Sequence, residues 1–234
     1  MSLLIAGAGG HARVVVDAAR RAIAQGAEDY LLPALIVDDN PALHGTYVLG
    51  VEVISSVPSK AYGTFAFHVA IGNNALREQK FAVLAKKLGP ACVVHPHASI
   101  AESASLGAGS FVAAQAVIAP QAVLGAGCIV NHGAVVDHDC VVGAFCHIAP
   151  NATLAGNVRL GHRVLVGAGA NLLPGVVIGD DCVIGAGAVV LHDIEAGSNV
   201  AGVPARSIDR EKIDSLRCNF GGAFIHYPAG ARKA

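Results

Sequence analysis

The 234-residue chain has no tryptophan, a single methionine and only 5% aromatic residues. A core built around large rings is thereby excluded. The 28 glycines and the 53% apolar content favour repetitive packing of small aliphatic side chains instead. Charge is scarce too: Asp, Glu, Lys and Arg make up 14% of the chain, the net charge is -1, and no run of Lys or Arg occurs. Neither a nucleic acid nor an anionic membrane surface has electrostatic support as a partner. No apolar stretch approaches the roughly 20 residues of a membrane span. The opening "MSLLIAGAGGHARVVVDAA" has neither the basic region nor the unbroken apolar segment of a secretion signal. A cytoplasmic protein with no membrane insertion is expected. The six cysteines form no CxxC pair, which fits reduced thiols better than a disulfide framework.

What the chain does have is a period of six. Every sixth residue from Ile100 to Val190 is Ile, Leu or Val, sixteen in succession, and the residue four places after each is small or narrow, from Ala104 to Ile194. Both positions must point into one cramped interior. This is the hexapeptide form of the β-helix, and the resemblance is to the left-handed parallel β-helix, with three hexads and so 18 residues per coil. The register also places Cys128, Cys140, Cys146 and Cys182 on the inward narrow position. There a thiol serves as a small hydrophobe, which argues against a cysteine nucleophile or a metal cluster.

Ahead of the repeat, "LLIAGAGGHARVVVDAARRA" reads as a strand, a glycine loop and an amphipathic helix, and "ALIVDDN" and "FAFHVAIGNN" read as further strands. The loop Gly7-Ala8-Gly9-Gly10-His11-Ala12 nearly matches the dinucleotide fingerprint, whose glycines let backbone N–H groups at a helix N-terminus approach a phosphate. Only about 90 residues precede the repeat, room for half of a dinucleotide fold. Asp38 and Asp39, at a strand end, are candidates for binding a base or ribose, or simply for starting a turn with Asn40-Pro41. The expected division is a small α/β, half-Rossmann-like domain over residues 1–92, a left-handed β-helix over 93–206, and an extension over 207–234. The extension opens with a short helical pattern and holds Phe220, Phe224 and Tyr227.

Between Ser103 and Val158 the only charged residues are Asp137 and Asp139, and they flank His138. In the hexad frame His138 and Asp139 fall at an outward corner, and His147 also projects from the coil as a surface group. A histidine beside a carboxylate makes a general-base pair, the acid stabilising imidazolium and fixing its tautomer. One coil further on, Gly156 should lie about 4.8 Å above His138 and leave an open notch over the base.

At these residues the chain resembles the hexapeptide-repeat acyltransferases of the sialic-acid O-acetyltransferase and nucleotide-4-aminosugar N-acetyltransferase type. The matching pieces are "GAGGH", "VDD", "AIGNN..R", "DHDC", His147, "AGN" at 155 to 157 and "GVPAR". The resemblance implies transfer of acetyl from acetyl-CoA, as co-substrate, to the 4-amino group of a nucleotide-linked amino sugar, with no metal. His138 would be the general base and Asp139 its support, although the family often has Glu there. His147 and the Gly156 backbone would meet the thioester, and Ala168 and Ala186 would lie along the pantetheine arm. Gly9, Gly10 and His11 would receive the nucleotide phosphates, Asp38 and Asp39 the base, Gly72 would form the pocket rim, and Asn131 would orient the sugar. The family assembles as homotrimers with the active site between neighbouring β-helices. Three other readings stay open on the residues: O-acetylation of sialic acid or another sugar hydroxyl, a non-catalytic nucleotide-sugar-binding module, and a zinc-dependent hydratase on a β-helix. For the last, His132, His138, His147, His162 and His192 are the raw material.

Overall fold

The computed structural model describes residues 2–26, 31–61 and 63–208. The first part is an α/β unit. Strands β1 (Ser2–Ala6), β2 (Leu32–Val37), β3 (Tyr47–Val48), β4 (Val51–Ile54), β5 (Phe65–Val69) and β6 (Gly89–Pro90) make a sheet of order β3-β4-β2-β1-β5-β6. All of its pairings are parallel except the β3–β4 hairpin. Helix α1 (Gly10–Ala24) follows β1 and buries Ala12, Val15, Val16, Ala18, Ala19 and Ala22. Those residues recur at helical spacing, and their small size lets the helix approach closely.

Helix α2 (Asn74–Leu84) was not marked by any apolar period, because the residues it buries are Asn74 and Arg77. Its start is set instead by Asn73, whose side-chain oxygen accepts from the Leu76 N–H at 2.9 Å.

From Val93 the chain coils through three sheets that form the faces of a left-handed prism, parallel throughout except where Arg206–Ser207 closes the first face antiparallel to Asn199–Ala201. The first face has eight strands and begins at Val93–Val94, the second has six and begins at Ser99–Ile100, and the third has five and begins at Ser105–Leu106. Through the regular coils each strand pairs with the one 18 residues on, Val112 with Val130 and Val136 with Leu154 among them; at the end of the first face Val183 pairs with Asn199, 16 residues on. The inward column of both hexad positions is one continuous core. Asp139 (φ 60°) and Asn157 (φ 61°), stacked at one corner, take the left-handed conformation that Asp and Asn tolerate best among non-glycines. Cys128, Cys140, Cys146 and Cys182 are fully buried, their thiols directed at the carbonyls of Gly143, Ala155, Gly161 and Glu195. Burial raises the pKa of Cys140, Cys146 and Cys182 and keeps them thiols.

The two parts share a core. Outward residues Val93, Phe111 and Ile129 of the first face pack with Leu3, Ile5, Ala12 and Val15 of the α/β unit. Phe111 is 0% exposed, whereas Val123 on the third face is 45% exposed. The early coils are therefore covered on one face only. Arg77 spans the same junction, donating through Nε to the Gly127 carbonyl at 2.7 Å and through Nη2 to Phe145 O at 2.7 Å and Cys146 O at 3.2 Å. The chain beyond Ile208, with its three aromatics, lies outside the described residues. Among the described residues no helix is long and apolar enough to cross a membrane.

Candidate active site

The carboxyl ends of β1, β2 and β5 bring the glycine loop, Asp38-Asp39 and Gly72 to one edge of the parallel sheet, beside the point where strand order reverses. Open parallel sheets bind ligands in that crevice. Gly7 is needed for the turn itself: its φ is 102°, and a Cβ there would meet Ile71 Cγ1 at 2.8 Å. Gly9, Gly10 and Gly72 differ, since a Cβ at any of them would have nothing within 4 Å. Gly9 and Gly10 open the N-terminus of α1, which suits a phosphate, whereas the Gly72 carbonyl is engaged by Arg77. Asp38 is already engaged: Oδ2 accepts from Ala8 N at 2.7 Å and Oδ1 from Asn40 N at 2.8 Å. It braces the glycine loop and starts the turn at Asn40. Asp39 is exposed and pairs with Lys80 of α2.

Beneath this crevice lies the first face. His147 does not stand as a surface group, contrary to the sequence expectation; the α/β unit covers it and leaves it half-buried. The hexad frame shows only that a residue points out of the coil, and here outward means into the domain junction. Burial and the Arg77 charge push its pKa down to about 4, against the raising effect of a hydrogen bond to the Gly72 backbone. Asn131 Nδ2 lies 3.2 Å from His147 Nε2. With the amide donating to Nε2, the ring is neutral and its Nδ1–H is left for the Gly72 carbonyl. Asn131 thus holds His147.

His11 stacks edge-on against Phe111, with ring centroids 5.0 Å apart. Burial, then neighbouring His68, His147 and Arg77, hold its pKa well below the ordinary imidazole value. A ring held neutral in the junction brings no positive charge to a phosphate and could meet one only as an N–H donor. Sequence reasoning assigned nothing to His95 and His97, which with His132, Arg21 and Phe111 line a cavity of about 230 Å³ beside α1.

His138 occupies the corner between the second and third faces, following Val135–Val136. Its side chain is 60% exposed, and Nδ1 lies 2.7 Å from Asp139 Oδ2. That bond, then the Asp137 charge, raises the imidazole pKa. With Nδ1–H donating to Asp139, Nε2 is left as the basic nitrogen. Gly156 does lie one coil above, yet the notch is not open. The His138 ring leans into it, so a Cβ on Gly156 would stand 2.5 Å from Nε2 and 2.6 Å from Cε1. Among the described residues nothing takes the Gly156 N–H.

Ala168 and Ala186 stack in an exposed column at the corner between the first and second faces, where Gly187 N donates to Ala168 O at 2.8 Å. In a three-sided coil the corner that carries His138 lies opposite the first face, which carries His147 and the glycine loop above it. One chain therefore does not bring the two halves of the expected site together. His162 is tied into its corner by a bond from Ala144 N to its Nδ1 at 3.1 Å. Among the described residues, no group of three or more His, Cys, Asp or Glu side chains is arranged to hold a metal ion.

Residues 2–84 match the PglD N-terminal domain, and residues 121–156 and 157–192 match the bacterial transferase hexapeptide family of six repeats. The acetyltransferase domain of PglB from Neisseria gonorrhoeae is 36% identical with a TM-score of 0.79, over 88% of this chain and 99% of that one. The chain belongs to the PglD-like hexapeptide-repeat acyltransferases. PerB from Caulobacter crescentus, whose structure holds CoA and GDP-perosamine, is likewise 36% identical, with a TM-score of 0.79 over 89% of this chain and 98% of that one. WeeI from Acinetobacter baumannii is 27% identical over 89% and 100% of the two chains, with a TM-score of 0.79. Among curated proteins none matches the chain.

Proposed function

We propose that this PglD-like acyltransferase moves acetyl from acetyl-CoA to the 4-amino group of a nucleotide-linked amino sugar, in a site formed between two protomers of a homotrimer. The observation that carries this reading is the His138–Asp139 pair at an exposed corner, with Nε2 unencumbered by Asp139 and Gly156 directly above. It is supported by the similarity to PerB, found with CoA and GDP-perosamine.

The residues divide the work as follows. Gly9 and Gly10 receive the phosphates through backbone N–H groups, and Gly72 forms the rim; the exposed Asp39 is the freer of the two acids to meet the base. The sugar amine attacks the thioester carbonyl while His138 Nε2 takes the proton that nitrogen must shed as the C–N bond forms. Asp139 stabilises the resulting imidazolium. The Gly156 N–H stabilises the oxyanion, with the opposed His147 of the next protomer beside the thioester, and collapse expels the thiolate, which recovers the proton from His138. Ala168 and Ala186 leave a smooth ledge for the pantetheine arm.

The same geometry supports a site shared between copies. His138 and His147 belong to opposite sides of one coil, and only a neighbouring copy can oppose them. The third face supplies apolar surface to bury, with Val123 at 45%, Val141 at 38% and Val177 at 44% exposure. The test is a screen of nucleotide sugars, with and without a 4-amino group, for thiol release from acetyl-CoA. Release only with the amine supports the reading. Release with hydroxyl acceptors alone would make the protein an O-acetyltransferase, and sugar binding without release would make it a binding module. Light scattering that gave a monomer at micromolar concentration would refute the shared site.

A further inference from the structure

Arg77 is 1% exposed and is the largest of the fully buried side chains. Its guanidinium is committed to carbonyls from both parts of the molecule. Nη1 donates to Ile71 O at 3.0 Å and Gly72 O at 3.3 Å, and Nη2 to Phe145 O at 2.7 Å, Cys146 O at 3.2 Å and Asn74 Oδ1 at 2.8 Å. Phe145 and Cys146 immediately precede His147 in the chain, and Gly72 supplies the carbonyl that meets the His147 ring. One planar cation therefore grips both ends of the arrangement that holds this histidine. A planar fork with five N–H donors can do this and a lysine ammonium cannot.

We propose that Arg77 is a positioning residue for the reaction, tying the backbone that carries His147 to the Ile71–Gly72 turn so that the imidazole is held as the neutral Nδ1–H tautomer with Nε2 at the Asn131 side. This deepens the acetyl-transfer reading, on which the catalytic part of the claim rests. The charged groups around the ring are Arg77 on α2 and, when protonated, His11 on α1. A cation at this place disfavours imidazolium and so reinforces the effect of burial.

The experiment uses the whole protein labelled with ¹⁵N-histidine, with His147 assigned by loss of its signals in His147→Gln. In the unaltered protein His147 should show a protonated Nδ1 and an unprotonated Nε2, with no titration between pH 8 and pH 5. A protonated Nε2 in the neutral ring, or titration near the ordinary imidazole value, overturns the proposal with no Arg77 variant needed. Arg77→Met and Arg77→Lys, checked by circular dichroism, should release the tautomer and lower kcat by about 10- to 100-fold, the cost of a misplacement of about 1 Å. Arg77→Lys should keep His147 less basic than Arg77→Met does, because it retains the charge. A folded Arg77→Met protein with the His147 spectrum and kcat unchanged also overturns it. Failure of the unaltered protein to transfer acetyl would count against the functional reading alone, since the tautomer measurement needs no turnover.

Discussion

Replacing Gly156 by alanine adds one methyl group directly above the His138 ring. The new Cβ would stand 2.5 Å from Nε2 and 2.6 Å from Cε1, where carbon contacts ordinarily settle at about 3.5–4.0 Å. The ring must retreat by about 1 Å or turn away. Gly156 is not among the left-handed glycines, so alanine costs the backbone nothing special there. The ring that moves is exposed and bound on one side to Asp139, so stability should hardly change. Catalysis should change a great deal, because a base displaced by about 1 Å loses about 100-fold in rate, equivalent to about 2.7 kcal/mol in the transition state. The assay is thiol release from acetyl-CoA with an accepted amino sugar, alongside a thermal melt of the same preparation. A kcat within threefold of the unaltered protein, with an unchanged melt, would refute the placement of the reacting proton at His138 Nε2.

His138→Ala should lower kcat by roughly two to four orders of magnitude while acetyl-CoA affinity, measured by calorimetry, stays nearly constant. Asp139→Asn should cost less, and asparagine tolerates the left-handed backbone there. Since Asp139 raises the His138 pKa and the base must be neutral to act, activity fades as pH falls through that pKa; the variant's acidic limb should move to lower pH. A limb that stayed put in pH–rate profiles would separate Asp139 from the base. Phe111→Ala, at the shared core, should cost about 3–5 kcal/mol in denaturant unfolding, and a loss under 1 kcal/mol would mean that the two parts do not support each other. Cys146→Ala should leave turnover intact while costing about 1 kcal/mol of stability, whereas abolished turnover in a folded protein would revive a covalent mechanism.

What the sequence determined by itself was whatever repeats or is local. A six-residue period states the same steric demand again and again, so the coil, its 18-residue register, the buried cysteines and the stacking of Gly156 over His138 were all legible. The His138–Asp139 bond was equally legible, because adjacent residues at one corner need no tertiary contact to meet. The glycine loop ahead of α1 belongs to the same class. Only the tertiary structure decided what covers each outward position. The hexad frame treats Phe111, Val123 and His147 alike as outward, yet the α/β unit seals Phe111, covers His147 and leaves Val123 in water. Helix α2 escaped notice because its buried face is Asn74 and Arg77, polar groups whose partners are backbone carbonyls far along the chain. Such bonds have no period and no side-chain pattern at either end. The placing of His138 and His147 on opposite sides of the prism was legible as well, since nine residues are half of an 18-residue coil; what the coil could not show was that the α/β unit covers the side that carries His147 and leaves the His138 corner exposed.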